Sequence, residues 1–248
     1  MKRLNRGVMG HARRYRQKLA EGGSQQTDWK EGEVRQILKR IDGVLEQLPA
    51  AIHQAHERII GERKVANAEK LLSLYERELH VIVRGKAEAE VEFGNTLWLG
   101  EQVDGLILDW KLLKDRNPGD TKRFRESLER IQDVFGEYPR SAAGDRGLWS
   151  QDNERWLKSQ GVYSALCPRG VREFQKRMKS NRFRGLQKRR AQTEGRIGIL
   201  KNDFLGRPLR SKGFEHRELA VAWAVLVHNV WLLAGRRIAQ EKEEKKAA

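Results

Sequence analysis

The feature that most constrains the fold is the order of strand-like and helix-like runs in the middle of the chain. Short apolar runs with β-branched and aromatic residues alternate with longer runs in which apolar residues recur every three or four positions. The strand-like runs are 79–83, 92–99, 105–112, 139–145 and 162–166, and the helix-like runs are 121–135 and 151–160. Strands that alternate with helices in this way predict an α/β fold.

Turn and cap residues mark where these elements begin and end. The polar stretch 100–104 separates two strand-like runs, which predicts a β-hairpin. Asn117-Pro118-Gly119-Asp120 predicts a turn, with Asp120 or Thr121 capping the next helix. Ser150 is the expected cap of the helix over 151–160.

Helices are also expected on both sides of this region. Apolar spacing predicts a helix over 28–60, which Pro49 is expected to interrupt, and 21–28 is expected to be a linker. A long helix is predicted over 189–203, and a last helix over 215–239 is strongly apolar on one side. No apolar run is long enough to predict a membrane span.

The charge of the chain indicates a polyanionic partner. The net charge is +16 with a pI of about 10.2, and the basic residues are concentrated in 1–19 and 168–217. Such a balance favours nucleic acid as the partner, although an ordinary solvated cationic surface would look the same. The single cysteine, Cys167, excludes an internal disulfide and a cysteine-built zinc site, which fits a cytoplasmic protein.

Two acidic residues stand out as candidate ligands of a metal ion. Arg190, Glu194 and Lys201 are spaced to share one face of a helix, and Asp145 follows a strand-like run. Carboxylates on a strand end and on a later helix can meet at one edge of an α/β sheet and bind Mg2+ or Mn2+ for phosphodiester chemistry. Spacing alone also allows a turn-forming Asp and a Glu paired with a neighbouring Arg.

Several motifs of the chain resemble the catalytic half of bacterial insertion-sequence transposases of the DDE type, in the order found in that family. The motifs are Leu72–Glu76, Val83–Lys86, Val91–Asn95, Asn117–Asp120, Gly144–Gly147, Arg190–Arg196 and Gly213–Ala234. The resemblance implies a ribonuclease H-like core, a mixed sheet with flanking helices, that cuts and joins DNA strands with Mg2+.

The resemblance also assigns roles to individual residues. Asp145 matches the second catalytic Asp of the family and Glu194 its catalytic Glu, both as metal ligands. Arg190 and Lys201 match basic residues that contact DNA phosphate. We expect the neighbouring Lys188, Arg189 and Arg196 to belong to the same DNA-binding track. Gln187 stands where the family commonly has Tyr.

The chain departs from the family at the first catalytic Asp. That residue lies on the first core strand, and no Asp in a matching strand precedes the helical segment here. The core is therefore expected to be incomplete at its first strand, with unpaired strand edges and little activity alone. Asp109 lies on a predicted strand and is the alternative candidate, but its Asp-Trp context favours a polar residue at a strand edge. The division expected is a helical segment 1–70, a partial catalytic domain 71–240 and a charged disordered tail 241–248.

Two alternatives to a truncated transposase remain open from the sequence. One is a DNA-binding remnant or regulator of an intact transposase without catalysis, and the other is a basic RNA-binding protein. Double-stranded DNA at transposon ends is the expected partner, self-association is left open, and neither a membrane nor a nucleotide cofactor is expected. The tryptophans other than Trp29 are expected in the core, with Trp149 considered for stacking on a DNA base.

Overall fold

Most of the predicted helices and strands are present in the computed structural model of the protein. The structure describes residues 2–67, 69–86, 89–115, 119–206 and 208–247. The helices are α1 Lys2–Gln26, α2 Glu31–Ile59, α3 Asp120–Phe135, α4 Gln151–Ser159, α5 Val171–Arg177, α6 Asn181–Ile199 and α7 Phe214–Ala247, with a π-helical segment Leu200–Leu205 after α6. The strands are β1 His80–Lys86, β2 Ala89–Gly94, β3 Leu97–Glu101, β4 Ile107–Leu112, β5 Ser141–Gly144 and β6 Tyr163–Leu166.

The chain forms two compact units, Met1–Gly94 and Asn95–Ala248, which are called unit 1 and unit 2 below. This division falls after β2, later in the chain than the limit of 70 expected for the helical segment. The assignment of catalytic domain and tail to 71–240 and 241–248 stays a prediction, although 241–247 is part of α7.

Unit 1 contains a pair of helices and a β-hairpin. Arg16 on α1 donates two hydrogen bonds to the Asp42 carboxylate on α2, at 2.8 and 3.0 Å. These bonds from Arg16 lower the pKa of Asp42 below its ordinary value. Strands β1 and β2 pair antiparallel, with Val81 opposite Phe93.

Two sequence expectations in unit 1 are wrong. Residues 21–26 continue helix α1 with a kink at Gly22, so the expected linker is reduced to the short stretch before α2. Helix α2 also continues through Pro49. Proline removes one backbone donor, yet the helix has enough other hydrogen bonds on both sides to persist over 29 residues.

Unit 2 is built from two separate strand pairs. Strands β3 and β4 form the predicted antiparallel hairpin, with Leu99 opposite Trp110, and β5 and β6 run parallel, with Ala143 opposite Ala165. The described strands form three two-stranded sheets, so no mixed sheet joins β3–β4 to β5–β6 within the described residues. The run expected as one strand over 92–99 is divided, because its first part pairs with β1 and its second part with β4.

Helices supply the apolar surface that two such small sheets need. The first core joins α3, α4, β5 and β6 through buried residues that include Phe124, Leu128 and Leu157. The second core joins β4, the π-helical segment and α7 through Leu112, Leu200 and Val221, among others. Strand β3 contributes to both cores, because its successive side chains point to opposite faces.

Helix α7 also has large apolar side chains that remain exposed. Trp223 and Trp231 are 60% and 57% exposed, so the expectation that both lie in the core is wrong. By length and composition alone, Phe214–Lys246 could cross a membrane, but Val221 and Ala224 of this helix are buried in the second core.

The helix ends confirm one predicted cap and correct another. Ser150 accepts a hydrogen bond from the Asn153 backbone N–H at 3.0 Å and caps α4, as predicted. Helix α3 instead begins at Asp120, with Gly119 in the cap position and no side-chain cap. Asn117 and Pro118 of the predicted turn lie outside the described residues.

Asp109 on β4 is buried, and both of its carboxylate oxygens accept hydrogen bonds. Its carboxylate accepts two hydrogen bonds from Arg130 at 2.7 Å and one from the Ser127 hydroxyl at 2.6 Å, both on α3. Only 6% of the Asp109 side chain is exposed. The hydrogen bonds with Asp109 raise the pKa of Arg130. Asp109 therefore fastens α3 to the hairpin.

Replacement of Asp109 by Ala should destabilise unit 2 strongly. The change leaves the Arg130 guanidinium partly buried without its anionic partner, which costs on the order of 2–4 kcal/mol. Urea unfolding of the full chain measures this loss, with Asp133→Ala on the exposed side of α3 as the matched control. A loss below about 0.5 kcal/mol would show that the ion pair is not needed.

Candidate catalytic and DNA-binding site

Asp145 lies directly after β5, at the carboxyl end of the parallel strand pair, as the sequence predicts. Its side chain is exposed, and Oδ1 accepts hydrogen bonds from the backbone N–H groups of Gly147 at 2.9 Å and Leu148 at 3.2 Å. These two bonds hold the carboxylate in a turn that leads toward α4. Asp145 is thus a fixed, solvent-accessible carboxylate at the edge where α/β folds place their ligands.

A second carboxylate, Asp120, lies beside Asp145. The point where a Cβ on Gly147 would lie is 3.2 Å from Asp145 Oδ1 and 3.4 Å from Asp120 Oδ2. The sequence predicts only a capping role for Asp120, because nothing in its position at the start of α3 indicates this proximity. The approach depends on how α3 packs over β5, which only the tertiary structure decides.

Helix α6 is attached to the same sheet edge through Gln187. Its side-chain amide donates to the backbone oxygens of Gly144 at 3.2 Å and Ala165 at 2.5 Å, and so connects the ends of β5 and β6. Gln187 Oε1 in turn accepts a hydrogen bond from Arg190 Nε at 3.3 Å. A tyrosine, common at this position in the resembled family, could not make this pair of amide contacts.

Glu194 lies two helical turns after Gln187 on α6, and its side chain is exposed. Residues seven apart share a face of an α-helix, so Glu194 lies on the side of α6 that carries Gln187. In the part of the chain that the structure describes, no ion pair or hydrogen bond holds the Glu194 carboxylate. The alternative of a simple pair between Glu194 and Arg190 is therefore not realised.

The predicted basic residues do not share one environment. Arg189 and Arg196 both reach Glu101 at the end of β3, with N–O distances of 3.6 and 2.8 Å. The Glu101 side chain is 8% exposed, so these two arginines anchor α6 to the hairpin. Gly105 allows this contact, because its φ of +96° suits glycine and a Cβ there would clash with the Arg196 guanidinium.

The other predicted cations are placed differently. Lys188 is exposed on α6, Arg190 is half-buried, and Lys201 lies in the π-helical segment, where it is half-buried. Because that segment is wound differently from an α-helix, the continuous helical face expected for Arg190, Glu194 and Lys201 is interrupted. An open groove of about 650 Å3 next to Gln187 is lined by Phe174, Met178, Asn181, Arg184, Gly185 and Lys188.

Among the described residues no group of three or more His, Cys, Asp or Glu side chains is placed to hold a metal ion. The structure thus brings Asp145 and Asp120 near Gly147 and places Glu194 on the helix attached to this sheet edge, without closing a three-acid cluster. Trp149, considered for base stacking, packs against the first core instead.

The Gln187 amide should prove necessary for the docking of α6. Gln187→Glu replaces the donor with a carboxylate that faces two carbonyl oxygens, and it should cost roughly 2–3 kcal/mol. Gln187→Ala should cost about 1 kcal/mol, and Gln175→Ala on the exposed side of α5 should cost less than either. Chemical denaturation of the three variants measures the order, and equal stability of the Glu variant and wild type would refute the contact.

Comparison with known protein families gives a match over the candidate site. The family model of the transposase DDE domain matches residues 102–230, which is just over half of the chain and includes both Asp145 and Glu194. No curated protein and no solved structure matches significantly. The matched region begins in the hairpin of unit 2, contains the edge of β5 and β6 with helix α6, and ends within α7. On this evidence the chain belongs to the DDE transposase domain family.

Proposed function

We propose that the chain derives from a DDE transposase of a bacterial insertion sequence, whose reaction is Mg2+-dependent cleavage and transfer of DNA strands. The observation that supports this most directly is the family match over a region in which Asp145 ends a strand and Glu194 lies on the neighbouring helix. The same family implies a ribonuclease H-like core. The alternation of strands and helices in unit 2 supports this in part, although its described strands form only two-stranded sheets.

The donor set at this edge fits a hard divalent cation. Asp145 Oδ1 and Asp120 Oδ2 both lie within 3.4 Å of the point where a Cβ on Gly147 would be, and Mg2+ prefers such oxygen ligands while it keeps several of its waters. We assign Asp145, Asp120 and Glu194 as the residues that would hold the metal. The cation, when bound, would activate the attacking oxygen and stabilise the leaving oxygen of a phosphodiester.

Further contacts at this edge orient the carboxylates and set the charge around them. The backbone bonds to Asp145 keep its carboxylate oriented toward solvent, where a DNA strand can approach. Gln187 holds α6 against the strand ends, and so sets the distance from Glu194 to that edge. Arg190 donates a hydrogen bond to Gln187 at 3.3 Å, and its positive charge would attract DNA phosphate to this edge.

The basic surface of α5 and α6 suits the phosphate backbone of duplex DNA. Lys188 and Arg184 are exposed beside the open groove, and the segment 168–217 has 16 basic and 4 acidic residues. Contacts with phosphate do not depend on the DNA sequence, and the affinity they give falls steeply as the salt concentration rises. We propose double-stranded DNA as the partner and the cytoplasm as the location.

We further propose that this chain alone has little strand-transfer activity. Asp109, the one alternative Asp on a strand that the sequence offered, is already bound by Arg130 and Ser127. The two strand pairs of unit 2 are also not joined into one sheet within the described residues. The same observations favour the second candidate function, a non-catalytic DNA-binding regulator of an intact transposase.

Removal of two cations from α6 should weaken DNA binding in a salt-dependent way. Lys188→Ala with Arg190→Ala should reduce the slope of log affinity against log salt concentration by about 1.8, at roughly 0.9 for each phosphate contact. Fluorescence anisotropy with a labelled duplex at several salt concentrations measures the slope. Lys158→Ala on α4 is the control and should leave it unchanged. An unchanged slope in the double variant would show that DNA does not contact Lys188 and Arg190.

Incubation of the purified chain with Mg2+ and duplex DNA should give no strand cleavage above background, while binding persists. Gel analysis of a labelled duplex measures both, with Glu194→Ala as the comparison. Cleavage that is lost in Glu194→Ala would contradict the proposed inactivity and establish a working active site. Binding without cleavage in both proteins would favour the regulator.

A further inference from the structure

The two carboxylates that approach each other at the candidate site belong to separate segments of unit 2. Asp120 is the first residue of α3, and Asp145 follows β5. Their oxygens lie 3.4 and 3.2 Å from the point where a Cβ on Gly147 would be. Two negative charges at such close range repel each other, so the segments tend to separate unless another group holds them together.

The side chain of Asn153 contacts both segments. Asn153 is the third residue of α4 and is 3% exposed. Its Nδ2 donates one hydrogen bond to the Thr121 carbonyl at 3.0 Å and a second to the Leu148 carbonyl at 2.9 Å. The amide nitrogen has two N–H groups, and one of them is therefore used on the segment of Asp120 and the other on the segment of Asp145.

Leu148 extends this contact to the Asp145 carboxylate. The Leu148 carbonyl accepts from Asn153, and the Leu148 N–H donates to Asp145 Oδ1 at 3.2 Å. The Leu148 side chain packs against the first core, and a Cβ on Gly144 would lie only 2.5 Å from its Cδ1. Because Leu148 is held on these sides, a displacement of its carbonyl would also displace the N–H that orients Asp145.

Asn153 is itself held in one orientation. Its backbone N–H donates to the Ser150 hydroxyl at 3.0 Å, which fixes the residue in the first turn of α4. Arg125 Nη2 lies 3.5 Å from Asn153 Oδ1, so a donor faces the amide oxygen while two carbonyls face the amide nitrogen. Rotation of the amide by half a turn would place like groups against each other at all three contacts.

We infer that Asn153 is a positioning residue of the proposed metal site, which holds Asp120 beside Asp145 so that one divalent cation can bind oxygens of both. It acts through the backbone of Thr121 and Leu148 and not as a ligand. Groups behind the ligands of a metal site orient those ligands and thereby set the affinity for the metal. The cation in this inference rests on the proposed function, whereas the connection between the two segments rests on the hydrogen bonds alone.

Mn2+ binding to the full chain, followed by the electron paramagnetic resonance signal of the free ion, tests the role of Asn153 by the sign of the effect. Asn153→Asp keeps the size of the side chain and suits the first turn of a helix, but a carboxylate cannot donate to the two carbonyls. Its negative charge alone would strengthen Mn2+ binding. Loss of positioning should instead raise the dissociation constant about tenfold or more.

Two more variants define the site and separate positioning from stability. The Mn2+ that Asp145→Asn no longer binds is the ion held at the candidate site. Ile131→Ala removes a 9% exposed side chain of the first core and leaves both bonds of the Asn153 amide in place. Urea unfolding should show a loss of stability in Ile131→Ala, while its Mn2+ dissociation constant stays within about twofold of wild type. An unchanged or lower dissociation constant in Asn153→Asp, or an equal rise in Ile131→Ala, would overturn the inference.

Amide hydrogen exchange without metal tests the connection independently of the proposed function. Asn153→Asp should speed exchange of the Leu148 N–H, which donates to Asp145, by about fivefold or more. The Cys167 N–H donates to the Gly144 carbonyl at 3.0 Å and is the internal control, which should change by less than about twofold. Unchanged exchange at Leu148 would overturn the inference. Faster exchange at Leu148, in a protein whose wild-type form binds no Mn2+, would support the positioning of the carboxylates and overturn only the metal assignment of the proposed function.

Discussion

Three carboxylates on the β3–β4 hairpin hold the helices on which unit 2 depends. Glu101 binds Arg189 and Arg196 of α6, Asp104 binds Arg236 of α7, and Asp109 binds Arg130 of α3. In a chain with a net charge of +16, these acids are used as internal anchors for arginine. Each ion pair joins a helix to the hairpin. The hairpin needs these helices, because a two-stranded sheet alone is at most marginally stable.

This arrangement links the anchors to the candidate site. Helix α3, held by Asp109, begins with Asp120, and helix α6, held by Glu101, carries Glu194. Contacts with the hairpin therefore position two of the three proposed metal ligands. The third, Asp145, is fixed by backbone N–H groups at the end of β5. Cations that pattern analysis assigns to DNA can therefore be structural, and Arg189 and Arg196 are examples.

Local features could be predicted because short-range chemistry decides them. The Ser150 cap, the β3–β4 hairpin and the position of Asp145 after a strand all follow from neighbouring residues. The path of the chain at Pro49 was mispredicted, because the rest of a long helix outweighed one lost hydrogen bond. The contact of Gln187 with Gly144 joins residues 43 positions apart, and no pattern in the sequence indicates it.

The sequence by itself determined the order of elements, the basic character, and the carboxylates available at strand and helix ends, because these depend on residue type and local spacing. Tertiary structure decided which carboxylates lie near each other, since the approach of Asp120 to the Asp145 turn depends on how α3 packs. It also decided which side of α7 is buried. The prediction that this helix is apolar on one side is wrong, because apolar residues surround most of its circumference, and periodicity therefore could not tell the face that fills the core from the face left exposed.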